Sequence, residues 1–378
     1  MGAGIAQVCL QAGHEVALYD VDHVAIERGR ERIADGLRRL ADKGRLPIDP
    51  AELLARLRDA HTLEGLAQEA DIVIEAALED IDLKRTIFRA LGASAPAGVI
   101  LATNTSALSV TEIGYASGTA ERTLGLHFFN PAPVMALVEV VQGDQTSRAT
   151  MAAGLAFVDG LAKTAVACRD EPGFIVNRVN RPFTLEALRM LEGHEATIEQ
   201  VDAAIAGAGY PMGPFALMDL VGIDVNYAVA RALYEALEHA ERFRPSPIQE
   251  QLVGASRLGR KSGEGFYRYA DGQPPVISER LVEVGVGPPM EGGLPADEIV
   301  ARIEAAVINE AYHAAGDGVA EASDIDRALK LGASHPRGPF ERAGEIGLGP
   351  LIDRLAGYQA IYGERYRVAQ VLWQIAAI

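Results

Sequence analysis

Over its N-terminal part the chain alternates between short apolar runs and longer stretches whose apolar residues recur at helical spacing. Ile5 to Ala12 predicts a helix, Gly13-His14 a turn, and Glu15-Val-Ala-Leu-Tyr-Asp20 a strand that ends in an acid. A long amphipathic stretch from about Val24 to Lys43 follows, closed by Gly44 and Pro47, residue types that stop helices. Asp71-Ile-Val-Ile-Glu75-Ala-Ala predicts a buried strand, Leu83 to Leu91 a helix, and Val99-Ile-Leu-Ala-Thr-Asn104 another strand. The alternation runs through Val141, with a last strand near Thr164 to Cys168. Strands separated by helical stretches predict a doubly wound parallel sheet.

From Phe174 onward the period is helical. Phe183 to Glu192 reads as a buried helix, and Thr197 caps a second that starts at Ile198. Tyr210-Pro-Met-Gly-Pro-Phe215 then recurs as His335-Pro-Arg-Gly-Pro-Phe340. Glu186-Ala187 pairs with Glu310-Ala311, and Val201-Asp-Ala-Ala-Ile with Ile325-Asp-Arg-Ala-Leu. The helical module is therefore duplicated. Between the copies, a stretch rich in proline and glycine (Asp271-Gly-Gln-Pro-Pro, Pro288-Pro289, Gly292-Gly293-Leu-Pro) reads as a linker. The expected divisions are a first domain over 1–171, helical domains over 172–270 and 297–378, and a linker over 271–296.

Length and composition agree with several domains: 378 residues, 49% hydrophobic and 23% charged, describe a globular protein of two or three cores. A net charge of −17 argues against nucleic acid or an anionic membrane as partner. No apolar run reaches the roughly 18 residues needed to span a bilayer. Cys9 and Cys168 both sit in apolar segments, which predicts small core residues in a reducing, cytoplasmic compartment. The scattered histidines show no metal-ligand spacing, so no metal is expected.

The chemistry is concentrated in Leu124-Gly-Leu-His127-Phe-Phe-Asn130-Pro-Ala-Pro and the following Leu137-Val-Glu139-Val-Val141. Pro131 and Pro133 make the middle a loop between two strands. Alternation puts Leu137, Glu139 and Val141 on one face, where a carboxylate needs a partner. His127, at the end of the preceding strand, is that partner. A carboxylate on one imidazole nitrogen fixes the tautomer and leaves the other nitrogen to accept a proton. The pair thus reads as a general base with its orienter.

Asp20 stands where a dinucleotide-binding fold places an acid for a ribose hydroxyl, and with Asp22 close by and no adjacent arginine it favours NAD over NADP. Taken alone it is equally a helix cap. The glycine-rich turn expected about 20 residues earlier is represented only by Met1-Gly2-Ala-Gly4. With Gly2 as the third glycine of the fingerprint, the first strand and the first two glycines are expected upstream of Met1. A sheet without that central strand is expected to fold poorly or bind NAD weakly.

Gly2-Ala-Gly-Ile-Ala-Gln7, Asn104-Thr-Ser106, His127-Phe-Phe-Asn130-Pro-Ala-Pro, Gly173-Phe-Ile-Val-Asn177-Arg178, Gly209-Tyr-Pro-Met-Gly-Pro-Phe215 and Gly259-Arg-Lys261-Ser-Gly-Glu-Gly-Phe-Tyr267 occur in this order. From Gly2 to about Tyr269 the chain resembles the L-3-hydroxyacyl-CoA and 3-hydroxybutyryl-CoA dehydrogenase family. The resemblance implies a Rossmann-type sheet, its first strand missing, followed by two all-α domains like the C-terminal domain of 6-phosphogluconate dehydrogenase. It implies NAD-dependent oxidation of an L-3-hydroxyacyl-CoA to the 3-ketoacyl-CoA in fatty-acid or butanoate metabolism. Carried over, His127 removes the hydroxyl proton, Glu139 supports it, and Ser106 and Asn177 contact the substrate. Gly2, Asp20, Glu79, Lys84, Ser106, Asn130 and Lys261 are implied for the cofactor, and Lys43 for the CoA phosphates. Without the resemblance, Asn104–Ser106 is also a turn, Asn177 a helix cap, Glu79 and Lys84 a surface pair, and Lys43 a complement to a helix dipole. A second reading within the family takes a 3-hydroxyadipyl-CoA-type substrate; a third is a non-catalytic, truncated relative. The second helical copy has Ala301 where the first has Asn177, so its expected role is structural. It takes a partner's place in a monomeric internal pseudo-dimer, with a homodimer as the alternative.

Overall fold

Phe174 is the last residue of the first of two units in the computed structural model, which describes residues 1–288 and 293–376. In the first unit, α1 (Gly2–Gln11) leads into β1 (Val16–Leu18), and α2 (His23–Asp42) starts at Asp22, whose carboxylate caps Val24 N. There follow α3 (Pro50–Leu54), β2 (Leu57–Asp59), α4 (Leu63–Glu69), β3 (Ile72–Glu75), α5 (Ile81–Ser94), β4 (Ile100–Thr103), α6 (Val110–Ser117), β5 (Thr123–Phe128), β6 (Leu137–Gln142), α7 (Arg148–Gly160) and β7 (Thr164–Arg169). The strands form a parallel pair, β1–β2, and a five-stranded sheet in the order β3-β4-β5-β6-β7. Among the described residues no strand joins β1 to β3.

Two features depart from the sequence reading. Strand β2 was not expected, because Leu57-Arg-Asp is too short and too polar to show a period. The sheet is also not wholly parallel. β5 and β6 run antiparallel, while β3-β4-β5 and β6-β7 are parallel. The physical reason is the loop 129–136: a parallel return needs a crossover of about a dozen residues or more. The centre of this sheet is buried on both faces. Leu124, Leu126, Phe128, Val138 and Val140 pack with Ile5, Val8, Met151, Val158 and Leu161, each large side chain contributing roughly 1.5–3 kcal/mol of burial.

The second unit is helical apart from a small hairpin. Its first module comprises α8 (Val176–Val179), α9 (Arg181–Glu192), α10 (Ile198–Gly207), α11 (Pro214–Val221), α12 (Ile223–Ala236) and α13 (Pro247–Gly254). The hairpin pairs β8 (Tyr267–Arg268) with β9 (Val276–Ile277) inside the stretch expected as linker. Pro289 and Gly292, also part of that expected linker, lie outside the described residues. The second module comprises α14 (Ala296–Gly316), α15 (Ala322–Gly332), α16 (Pro339–Ile346), α17 (Leu348–Tyr362) and α18 (Gln370–Ala376). Among the described residues no helix is long and apolar enough to cross a membrane.

The repeat seen in the sequence is repeated in the bonding. Asp202 accepts from Phe215 N and Ala216 N, both at 3.0 Å, and Asp326 from Phe340 N (2.7 Å) and Glu341 N (3.0 Å). Each aspartate thereby satisfies the first turn of a Pro-Phe helix. The preceding glycine is required: a Cβ on Gly213 would lie 2.2 Å from Asp202 Oδ1, and one on Gly338 2.2 Å from Asp326 Cγ. The modules also clamp each other reciprocally. Glu310 of the second is held by Arg178 (2.8 Å) and Arg242 (2.6 Å) of the first. Glu186 of the first is approached by Arg302 and Arg365 of the second, each at 3.5 Å. Arg178 and Arg302 are equivalent positions, as are Glu186 and Glu310, and Arg242 and Arg365. Buried charges tolerate the interior only when paired in this way.

Tyr210 and His335, also equivalent, meet edge to face with centroids 5.1 Å apart. Burial pushes the His335 imidazole from 6.5 down to about 4. Above pH 6.5 both folded and unfolded forms are neutral, so nothing is lost; between 6.5 and about 4 only the unfolded form takes the proton. Stability therefore falls across that window, by roughly 3 kcal/mol at most. The variant His335→Tyr, which installs the first module's residue, should lose about 2 kcal/mol less between pH 7 and 4.5 in urea titrations. Identical losses for parent and variant would contradict this account.

Candidate active site

Polar groups gather at the C-terminal ends of β3, β4 and β5, the edge at which α/β sheets bind ligands. β5 and β6 pair in register with His127 opposite Glu139, so both side chains project to one face. His127 Nδ1 lies 2.6 Å from Glu139 Oε2. Glu139 is fully buried and His127 is 6% exposed. The carboxylate accepts the Nδ1 proton, an assignment that follows from this hydrogen bond, and Nε2 is left as the acceptor. The rings of Phe129 and Phe174 stand with centroids 4.5 and 5.8 Å from the imidazole and restrict its rotation. Asn104 Oδ1 accepts from Phe128 N at 2.8 Å, tying the end of β4 to the end of β5.

Glu79 organises the loop after β4. Its Oε1 accepts from Thr105 Oγ1 (2.7 Å), Ser106 N (2.7 Å), Ser106 Oγ (3.0 Å) and Ala107 N (3.2 Å). Burial alone would raise its pKa, but the hydrogen bonds from Thr105 and Ser106 and the charge of Lys84 outweigh burial and hold it below the ordinary value. It is a carboxylate that fixes where Ser106 stands.

Lys84 requires a correction. It is not half of a surface pair, because its side chain is completely buried. Its Nζ donates to both oxygens of Glu75, at 2.7 and 2.9 Å, and lies 3.5 Å from Glu79. Thr103 Oγ1 (2.7 Å) and Ala77 N (2.6 Å) complete the set around Glu75. Lys84 thus acts through the two glutamates. Glu75 was missed as part of the site, although an acid in the apolar run Ile72-Val-Ile-Glu75 carries the same signal that pointed to Glu139.

The remaining candidates are spread over both units. Gly2 opens α1, and a Cβ on it would lie 3.9 Å from that of Ala76, just past β3. One on Gly4 would lie 3.2 Å from Pro133 Cδ, so the start of α1 abuts the β5–β6 loop. Asp20 is exposed beyond β1, its Oδ1 accepting from Asp22 N at 3.0 Å. Asn130 is exposed in the β5–β6 loop, and Lys43 is exposed at the C-terminal cap of α2. Asn177 lies on α8 in the helical unit. Lys261, also there, has its Nζ 2.7 Å from Asp224 Oδ2, which holds the Asp224 carboxyl below its ordinary range despite slight burial. Cys9 and Cys168 are buried, and burial pushes the Cys9 thiol up to about 12. Among the described residues no group of three or more His, Cys, Asp or Glu is arranged to hold a metal.

Comparison with known proteins bears on the whole chain. The family model described as 3-hydroxyacyl-CoA dehydrogenase, NAD binding domain, matches residues 1–171. The one described as 3-hydroxyacyl-CoA dehydrogenase, C-terminal domain, matches twice, at 173–269 and 299–377. The chain is 34% identical to the 3-hydroxyadipyl-CoA dehydrogenase of Escherichia coli, over 100% of this chain and 96% of that protein. It is 40% identical to the mitochondrial hydroxyacyl-coenzyme A dehydrogenase of Rattus norvegicus, over 71% of this chain and 88% of the relative. The crystal structure of an Escherichia coli 3-hydroxybutyryl-CoA dehydrogenase superposes with a TM-score of 0.90 at 34% identity, covering 100% of this chain and 96% of that one. With a buried His–Glu pair at the sheet's C-terminal edge and two copies of the helical module, the chain belongs to the 3-hydroxyacyl-CoA dehydrogenase family, with an NAD-binding domain at its N-terminus.

Proposed function

We propose that this protein oxidises the 3-hydroxyl of an L-3-hydroxyacyl-CoA to a ketone, with His127 as general base. The observation that carries the reading is the 2.6 Å contact between His127 Nδ1 and buried Glu139. His127 Nε2 takes the hydroxyl proton, and Glu139 holds the ring in the productive tautomer and favours the imidazolium as it forms. Ser106, steadied by Glu79, is assigned to the substrate oxygen, where a donor stabilises developing negative charge. Asn177 is assigned to the substrate as well.

NAD, when bound, supplies the hydride acceptor. The donor set suits it: Asp20 is an exposed acid past β1 for ribose hydroxyls, and Gly2 opens a helix beside Ala76. Glu79, Ser106 and Asn130 are assigned to the nicotinamide half, Lys84 through Glu79, and Lys261 from the helical unit. Lys43 is assigned to the CoA phosphates.

We further read the chain as a nucleotide-binding domain over 1–171, helical domains over 172–270 and 297–378, and a linker between them. The reciprocal Arg–Glu clamps support a monomer whose second module replaces a partner subunit. The acidic composition argues against nucleic-acid partners, and two cysteines set in apolar segments favour the cytoplasm. The test is reduction of acetoacetyl-CoA and longer 3-ketoacyl-CoAs by NADH, followed at the nicotinamide absorbance. Turnover is expected with NADH. Absence of turnover on every thioester would refute the assignment.

A further inference from the structure

The ion pair of Glu75 and Lys84 in the first unit is enclosed, the two side chains being 3% and 0% exposed. Enclosed ion pairs add little net stability over an apolar pair of similar size, so the effect of this one on its neighbours is the better guide to its use. Strand register fixes its place. Glu75 stands opposite Thr103, Thr103 opposite Gly125, and His127 opposite Glu139. Opposed residues, and residues two apart along a strand, project to one face. Glu75, Thr103, His127 and Glu139 therefore share a face at the C-terminal edge of the sheet. The hydrogen bond from Phe128 N to Asn104 Oδ1 joins the loop after β4 to the strand that carries His127. Glu79 holds that same loop at Thr105, Ser106 and Ala107.

The charges here do not balance. Lys84 is one cation between two carboxylates, and it is shared unequally. Its Nζ donates to both oxygens of Glu75, at 2.7 and 2.9 Å, but stands 3.5 Å from Glu79 Oε2. Among the described residues no other basic side chain lies within ion-pair distance of Glu79. Arg85, the next residue of α5, is matched to Asp82 and Glu112. The remaining bonds to Glu79 come from hydroxyls and backbone amides, which favour the ionised carboxylate without cancelling its charge. Glu75 and Lys84 are shut away, whereas the Glu79 side chain is 39% exposed. A net negative charge therefore faces outward at Glu79.

The two forms of the dinucleotide differ in this respect: the nicotinamide ring of NAD carries a positive charge, and that of NADH is neutral. We propose that Glu79, left uncompensated because Glu75 takes Lys84, sets how strongly the site prefers the oxidised dinucleotide over the reduced one. Glu75 is then a specificity-determining residue that acts through Lys84. This rests on NAD binding and on the assignment of Glu79 to the nicotinamide half. Two unit charges several ångströms apart, at an effective dielectric of about 20, shift an equilibrium by on the order of tenfold or more. With Glu79 neutralised by Lys84, the charge on the ring would make little difference to its affinity.

The test is the ratio of the Kd for NAD to the Kd for NADH, measured on the full chain by calorimetric titration of each form. In Glu79→Gln the ratio should rise by on the order of tenfold, because the cationic ring loses its counter-charge and the neutral ring does not. Glu75→Gln should move the ratio the same way by a smaller factor, since Lys84 is then released to Glu79. Thr105→Val, which removes a hydrogen bond to Glu79 but no charge, should leave the ratio at the parental value. Equal weakening of both forms in Glu79→Gln, the result of a merely loosened loop, overturns the proposal whether or not Glu75→Gln folds. A parental ratio in a folded Glu75→Gln overturns the part given to Glu75. Failure of the parent to bind either form would strike the NAD-binding reading itself, and the proposal with it.

Discussion

His127→Gln should lower turnover by about 10²–10⁴-fold while the affinity for NADH, read by fluorescence titration, stays at the parental value. Glutamine preserves much of the volume and an amide donor for Glu139, but offers no nitrogen that accepts a proton near neutral pH. The loss is therefore one of chemistry rather than of packing, and it should appear in kcat with little change in KM. A smaller loss is expected for Glu139→Gln, which keeps the hydrogen bond to Nδ1 and removes the charge that favours the imidazolium. A His127→Gln enzyme that turns over at the parental rate would remove the imidazole from the reaction.

Lys84→Met should cost about 3–5 kcal/mol of stability, the range for breaking a buried ion pair from one side. The ammonium is wholly enclosed and serves both oxygens of Glu75. Methionine fills similar volume but leaves that carboxylate buried with only Thr103 and Ala77 N to satisfy it. Adding Glu75→Leu should restore much of the loss, because a neutral apolar pair carries no desolvation penalty. Urea unfolding of the single and double variants checks both statements. A single variant within about 1 kcal/mol of the parent would show that the pair contributes little. Glu79 would also lose its 3.5 Å neighbour, so the loop bearing Ser106 should loosen in the single variant.

Much of this architecture is legible in the chain because periodicity and punctuation are local. Gly44 and Pro47 close the second helix, Thr197 and Gln200 form the box that starts α10, and the Gly-Pro-Phe repeat exposes the duplication. The His127–Glu139 pair is legible for a different reason. A charged residue in an alternating apolar strand must find a partner, and the nearest strand end supplies one. Strand direction was not legible, since alternation reads the same in both senses, and only the short loop 129–136 carried the information. The burial of Lys84 was hidden because a lysine three residues into a helix looks solvated until the strand acid beneath it is known.

The reciprocal clamps of Glu310 and Glu186 have one further outcome. In an assembly of identical subunits, any mutation is imposed on both sides of the symmetry axis, so a side chain useful for the ligand must also be tolerated wherever its twin falls. Fusing the two copies releases that constraint. One half can keep polar residues for the ligand, the role we propose for Asn177, while the other is free to replace them, as with Ala301, and become a better scaffold. Asymmetry of this kind is open to a tandem gene and closed to a homodimer.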